Sequence, residues 1–433
     1  MSVKGKIQFE RPGWACRGDP ETRERKGSNF VNAGKKRFYG WIVVLGGAVV
    51  LGVSHGVVSN CFSLYIIPVS TALGINRDTF SVCSMIINGL YAVTSFLAGA
   101  IYRRLQLRNT IRVAAVALPA SYFCYSLCRT PAALYAVSVA VGLSLSFISF
   151  VPFTTIIGNW FEEKRGTAMG LCFMGSGLGG MIMNSLTAVL LERCGWERTY
   201  QITAGIMLVT LVSMIFLVVR VSPREMGLSP LGLKRGEQER IYGPEARRAI
   251  RSGSFAALMM VALVVGLNSS VISVLIAPHM MDLGYDALFA AGVTSAYLGC
   301  LALAKVLLGR VFDRVGAVRG TALSMLGFLG GFLGLYLCRA RWAIPLIMLT
   351  ALGTAASNVS YPVTTRYAFG TRAYTTLYGY MMGINFVLSS FGAVIANGIF
   401  TSTGSYNPMI LICMGASVIG LLSLRFMRPV END

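Results

Sequence analysis

Lys305 stands inside an apolar run, Leu288 to Val311, far from any charge except the one at the end of that run. The chain holds 18 Asp and Glu residues, and all of them fall in termini, loops or helix ends. None sits in the middle of an apolar segment, so no carboxylate of the chain shares the depth of Lys305. A charge at the centre of a membrane helix costs roughly 2.5–3.5 kcal/mol even on a lenient insertion scale. An anionic substrate is the natural partner to offset that cost. The competing reading is snorkelling, in which the stem carries the ammonium toward the surface near Asp313. Asp313 lies eight residues on, about 12 Å along a helix, which is farther than one side chain comfortably reaches.

His55 is the other candidate for chemistry at depth. It is one of two histidines in the chain. Histidine changes charge near neutral pH, so His55 is the best candidate to carry a proton. A neutral imidazole holding two helices together is the plainer alternative. Ser59, Asn60, Asn88, Tyr91, Asn268, Ser273, Tyr297, Asn358, Tyr361 and Asn385 also fall within apolar runs. Singly, each fits helix–helix bonding; as a set they suggest a partly polar cavity.

The elements that must carry these residues are membrane helices. Of 433 residues, 55% are hydrophobic and 13% charged, against about 25% charged in a soluble domain. A spanning helix needs about 20 mostly apolar residues. Such runs start near Gly40, Phe80, Val113, Ala132, Thr167 and Tyr200. Six more start near Phe255, Leu288, Ala322, Ile344, Tyr374 and Pro408. The spacing predicts an all-α membrane protein of twelve spans in two six-helix halves, over 39–220 and 252–428. A basic tail over 1–38 and a polar linker over 221–251 complete the division.

The net charge of +20 has a topological reading, because Lys and Arg collect in cytoplasmic loops. One set of loops carries Arg103, Arg104, Arg108, Arg112, Lys164, Arg165, the linker arginines, Arg310, Arg314, Arg319, Arg366 and Arg372. The alternate loops carry few. Both termini are therefore expected in the cytoplasm, and nucleic acid is not an expected partner. The 10 cysteines form no CxxC pair and have no histidine company, so neither a disulfide framework nor a metal site is expected. A P-loop and a recognisable catalytic triad are also missing from the sequence, so the chain reads as neither an ATP-driven pump nor an enzyme, with no cofactor.

Between the eighth and ninth runs stands Gly309-Arg310-Val-Phe-Asp313-Arg314-Val-Gly316-Ala-Val-Arg319. A weaker copy, Gly99-Ala-Ile-Tyr-Arg103-Arg104, lies between the second and third, with Arg103 where the acid should be. Twelve spans, a central loop and this motif resemble the major facilitator superfamily, and the resemblance covers the whole chain. It implies two halves rocking around a midplane site. Asp313, Arg314 and Arg165 are the expected gating residues. Tyr39-Gly40-Trp41, with Gly52-Val-Ser-His55-Gly56, resembles the branch of oxalate/formate antiporters and monocarboxylate transporters. So does Trp160-Phe161-Glu162-Glu163-Lys164-Arg165-Gly166-Thr-Ala168-Met-Gly170. In that branch a cation on the eighth helix binds the substrate carboxylate, and Lys305 matches its place. The second cation of oxalate exchangers matches Asn385, which favours a monocarboxylate over a dianion. The first-helix lysine of animal carriers matches Ser59, and Tyr91 matches one of their tyrosines.

The expected protein is thus a secondary transporter of a small carboxylate, a symporter with protons or an exchanger. Lys305, His55, Ser59, Tyr91, Tyr297, Asn358, Tyr361 and Asn385 are its expected substrate contacts. It is expected as a monomer in the lipid of a bacterial inner membrane. The alternative is a multidrug or amphiphile exporter of the same fold. Gly175-Ser-Gly-Leu-Gly179-Gly180 resembles the glycine motif of drug/proton antiporters, with Ser176 in place of its proline.

Overall fold

The computed structural model describes residues 38–232, 242–338 and 341–429. The expected tail over 1–38 lies, except for Phe38, outside the described residues, as does the middle of the linker. Among the described residues, eleven helices are long and apolar enough to cross a membrane. One of them, Arg165–Val218, is 54 residues long and comprises two crossings. They join at Gly195, whose φ of 74° and ψ of 173° break the helical path. Glycine reaches that backbone conformation without the steric cost a β-carbon would add. The described residues therefore make twelve crossings of an integral membrane protein, numbered here as spans 1 to 12. After spans 1 and 4, described below, span 2 is Arg77–Arg104, span 3 Leu107–Cys124, and spans 5 and 6 the two parts of Arg165–Val218. Span 7 is Gly253–Asp282, span 8 Ala287–Val315, span 9 Ala317–Tyr336, span 10 Ile344–Phe369, span 11 Tyr374–Thr403 and span 12 Asn407–Phe426.

Local signals set the ends. Thr130 caps the start of span 4 by accepting the Ala133 amide, with Pro131 at the first helical position. Ser252 caps span 7 in the same way through Phe255. Two spans are interrupted at depth. Span 1 runs Gly40–His55, passes through a wide π turn at Gly56–Asn60, and continues as Phe62–Leu73. Span 4 runs Pro131–Ser146 and resumes as Phe150–Trp160. Interrupted helices in membranes occur where backbone is buried in protein or lines a cavity.

Span 5 is the axis of the packing because its small residues form two stripes. On one face, Gly175 and Gly179 lie so close to span 1 that β-carbons there would collide with Ala48 and Gly52. Gly180 meets the Asn60 amide in the same way. On the other face, Gly166 and Gly170 press against Gly309 and Lys305 of span 8. A stripe of residues four apart on one helix face permits this approach. Span 11 crosses span 2 by the same device, with Gly379 against Ser95 and Gly383 against the Phe96 ring. The first six and the last six spans thus meet along spans 5 and 8 and along spans 2 and 11.

The arginine-rich loops share one face of the bundle and are tied together there. Arg108 pairs with Glu225, and Arg366 pairs with Glu162 through both carboxylate oxygens. The amide of Leu231 donates to Trp160, while Glu162 and Glu163 donate back to Leu231. At the other described end of the linker, the amides of Thr371 and Arg372 donate to the Tyr242 carbonyl. The linker is therefore clipped to the loop between spans 4 and 5 and to the loop between spans 10 and 11.

Candidate functional site

Lys305 is 5% exposed. Its ammonium donates to Ser176 Oγ at 2.9 Å and to the Phe173 carbonyl at 3.3 Å, both on span 5. An ammonium has three donors, and these neutral acceptors use two of them. Among the described residues no carboxylate pairs with it. The lysine does not snorkel toward Asp313; it points sideways across the seam between the halves. The Phe173 carbonyl is also the acceptor for Ser176 Oγ at 2.8 Å, so the ammonium joins a compact group of three polar atoms. Asn60, on the π turn of span 1, donates its amide to the Ser176 carbonyl at 3.3 Å. Spans 1, 5 and 8 thus converge on Ser176.

His55 ends the regular part of span 1. Its ring lies 4.7 Å from that of Phe150, at the start of the second segment of span 4. Phe150 in turn packs edge-on to Phe173 at 5.5 Å, so the two candidate groups share one aromatic wall. The Phe150 amide donates to the Tyr91 hydroxyl at 3.3 Å, and the Tyr91 ring meets Phe386 of span 11 at 4.1 Å. Ser59 lies exposed on the π turn beside Asn60.

The remaining expected contacts fall elsewhere. Asn385 donates to the Tyr361 hydroxyl at 3.0 Å, and Tyr361 donates to Ala262 at 3.4 Å. These two side chains tie spans 7, 10 and 11 together. Tyr297 is bonded to Thr354 at 2.9 Å. Asn358 is half-buried, with no hydrogen bond to a described residue. The structure therefore gathers Lys305, His55 and Tyr91 around Phe150 and Phe173. Tyr297, Tyr361 and Asn385 have their polar groups engaged within the carboxy-terminal half. Ser176 and Asn60 are the central residues that the substrate-contact reading missed. The signal was present: Gly166, Gly170, Phe173 and Gly177 form one helical stripe, and Ser176 borders it.

The gating candidates separate in a similar way. Lys164 adopts a left-handed conformation, φ 58°, just before span 5 begins. That turn leaves the first amides of span 5 without a cap from their own segment. Asp313 of span 8 supplies one across the seam. Its Oδ1 accepts the Gly166 amide at 2.8 Å, and its Oδ2 accepts the Thr167 amide at 2.8 Å and the Thr167 hydroxyl. Arg165 instead turns back onto the Gly158 carbonyl, with its guanidinium 6.0 Å from the Tyr374 ring centre. Arg314 is exposed, with no ion pair among the described residues.

Thr154 and Tyr378 add a hydroxyl pair across the seam, 3.1 Å apart. All these inter-half bonds lie level with Lys305 or between it and the basic face. Beyond Gly177, which meets Ala302, the next residue on the same face of span 5 is Met181, and it is 61% exposed. Val394 of span 11, two turns past Phe386, is 65% exposed. The bonds between the halves gather toward the basic face, while Met181 and Val394 beyond them are exposed.

Two six-helix halves closed at one face around a buried, polar centre define a membrane carrier. The chain matches the Major Facilitator Superfamily over residues 47–393, and it belongs to that family. Among relatives, the Saccharomyces cerevisiae transporter ESBP6 is 33% identical over 139 residues, 30% of this chain and 20% of that protein. The chain thus spans a fifth of the length of ESBP6. Monocarboxylate transporter 12 of Mus musculus is 20% identical over 424 residues, covering 91% of this chain and 86% of the relative. The proton:xylose symporter XylE superposes with a TM-score of 0.67 at 13% identity, over 91% of this chain and 96% of XylE. That likeness is one of fold.

Proposed function

We propose that the protein is a secondary transporter of small organic monoanions, of the monocarboxylate class, working by alternating access. One observation carries this reading. A buried ammonium on the seam of the two halves is held by neutral acceptors alone, with one donor left over. Charge-assisted bonds are roughly twice as strong as neutral ones, so a carboxylate oxygen outcompetes the Ser176 hydroxyl for that ammonium. The full-length likeness to a monocarboxylate transporter supports the choice of anion.

In this reading Lys305 grips the carboxylate from the carboxy-terminal half, while His55 and Tyr91 contact the substrate from the amino-terminal half. A proton entering with the anion would reside on His55; exchange of two anions needs no proton. Asp313 holds the basic face shut until both halves close on the substrate. Loop charge supports reading the basic face as cytoplasmic, with both termini inside and the described state outward-facing. We propose a monomer, since each half completes the other's site. The relatives are mostly eukaryotic, and they lend the expected bacterial inner membrane no support. The exporter alternative loses ground because Gly175, Gly179 and Gly180 are used in packing spans 1 and 5.

The test is ligand-dependent thermal stability of the purified protein with a panel of small carboxylates. At a ligand concentration 100-fold above its dissociation constant, stabilisation is about 2.7 kcal/mol. Lys305→Ala should abolish that shift and transport, with folded protein still present in the membrane. Lys305→Arg should keep part of both. A full carboxylate response from the Ala variant would refute the proposal.

A further inference from the structure

A groove of about 580 Å³ opens on the outer side of the amino-terminal half, between the start of span 3 and the middle of span 4. Its rim lies at the basic face and carries Arg104 and Asn109; its walls are Val113, Ala117, Leu143 and Phe147. Val113 is 68% exposed and Leu143 39%, so the walls face out of the bundle rather than into it. The interruption of span 4 after Ser146 places Phe147 at the groove's inner end.

Three properties together identify an occupant. The first is depth. From Asn109 to Ala117 the groove follows span 3 for eight residues, about 12 Å. That fits within one leaflet, about half of a hydrocarbon core of about 30 Å. The second is polarity, which runs from charged and amide groups at the rim to apolar walls below. The third is charge. Arg108 pairs with Glu225, and Arg112 lies over the Phe216 ring at 5.3 Å. Arg104 is exposed with no ion pair among the described residues, and no acid lines the groove.

We propose that this groove binds one anionic phospholipid of the leaflet on the basic side. Its phosphate sits against Arg104, and one acyl chain lies along Val113, Ala117 and Leu143. The site is remote from Lys305 and independent of the transport reading.

The experiment is native mass spectrometry of the full chain released from detergent. The protein is incubated with equimolar phosphatidylglycerol and phosphatidylcholine of identical acyl chains. The intact protein should keep the anionic lipid about fivefold over the zwitterionic one, the discrimination expected of one arginine. Arg104→Gln should bring the ratio near one while the total lipid retained stays similar. Ala117→Trp, which fills the groove, should lower retention of both lipids, with circular dichroism confirming its helix content. Equal retention of the two lipids by the intact protein would overturn the proposal. So would an unchanged ratio in Arg104→Gln, or unchanged retention in Ala117→Trp.

Discussion

Asp313→Asn tests how the basic face is held shut. The carboxylate accepts three hydrogen bonds from the first turn of span 5, across the seam. An asparagine keeps one acceptor oxygen and turns a donor amide toward the Thr167 amide, which is also a donor. The loss is that of a helix N-cap, about 0.5–2 kcal/mol, and partial solvent exposure of Asp313 argues for about 1 kcal/mol. Because the cap exists only when the halves are closed, the whole loss falls on the closed state. The ratio of inward-open to closed protein should rise about fivefold. The reporter is Thr154→Cys in a background freed of native cysteines, since Thr154 faces Tyr378 inside the closed seam. A membrane-impermeant maleimide applied from the basic face should label it about fivefold faster when Asp313→Asn is added. Equal labelling rates with both Asp313→Asn and Asp313→Ala would show that the cap does not govern closure.

Gly170→Val should hold spans 5 and 8 apart, because a side chain there meets the Lys305 backbone. Overpacking of about 1–3 kcal/mol should stop transport and leave Thr154→Cys permanently reactive; preserved transport would count against a close seam. The Glu162–Arg366 pair is bidentate and half-exposed, and is expected to stabilise closure by about 1 kcal/mol. Glu162→Arg and Arg366→Glu should each speed labelling, and the double exchange should restore the original rate. His55→Gln should flatten the pH dependence of substrate binding between about pH 5 and 8, in the range where histidine ordinarily titrates. A profile identical to that of the parent protein would remove the proton from His55 and leave anion exchange.

Much of the architecture was legible because membrane spans are written as length and hydropathy. The twelve starts read from the sequence fall at the observed helices, including Thr167 and Tyr200 within one long helix. Those two starts open separate crossings, because the backbone leaves the helical path at Gly195 between them. Lys305 was conspicuous because a lone charge in apolar sequence has few explanations. Its acceptor, Ser176, was not singled out, because the contact joins residues 129 positions apart and nothing in local spacing records it. The sequence alone does not say which neighbour each glycine of span 5 meets. The structure divides them: Gly170 meets the other half, whereas Gly175, Gly179 and Gly180 pack against span 1. Tyr361 and Asn385 show the converse limit. Their polarity suggested a substrate, yet the turn between spans 10 and 11 lets them meet each other.

The uncompensated ammonium of Lys305 also makes the empty carrier an electrical device. In the outward-facing state proposed above, access to Lys305 would be closed on the basic side and open on the other, and the membrane voltage would fall mainly across the closed side. Switching access moves the drop to the other side of that charge. For one elementary charge crossing the full field this is worth about 2.3 kcal/mol per 100 mV. A carrier holding a monoanion is neutral at this position and feels none of it. An interior-negative potential would therefore draw the empty protein toward its inward-open form while leaving the loaded form indifferent. The resting voltage, rather than any bound ligand, would then decide on which side the vacant site waits.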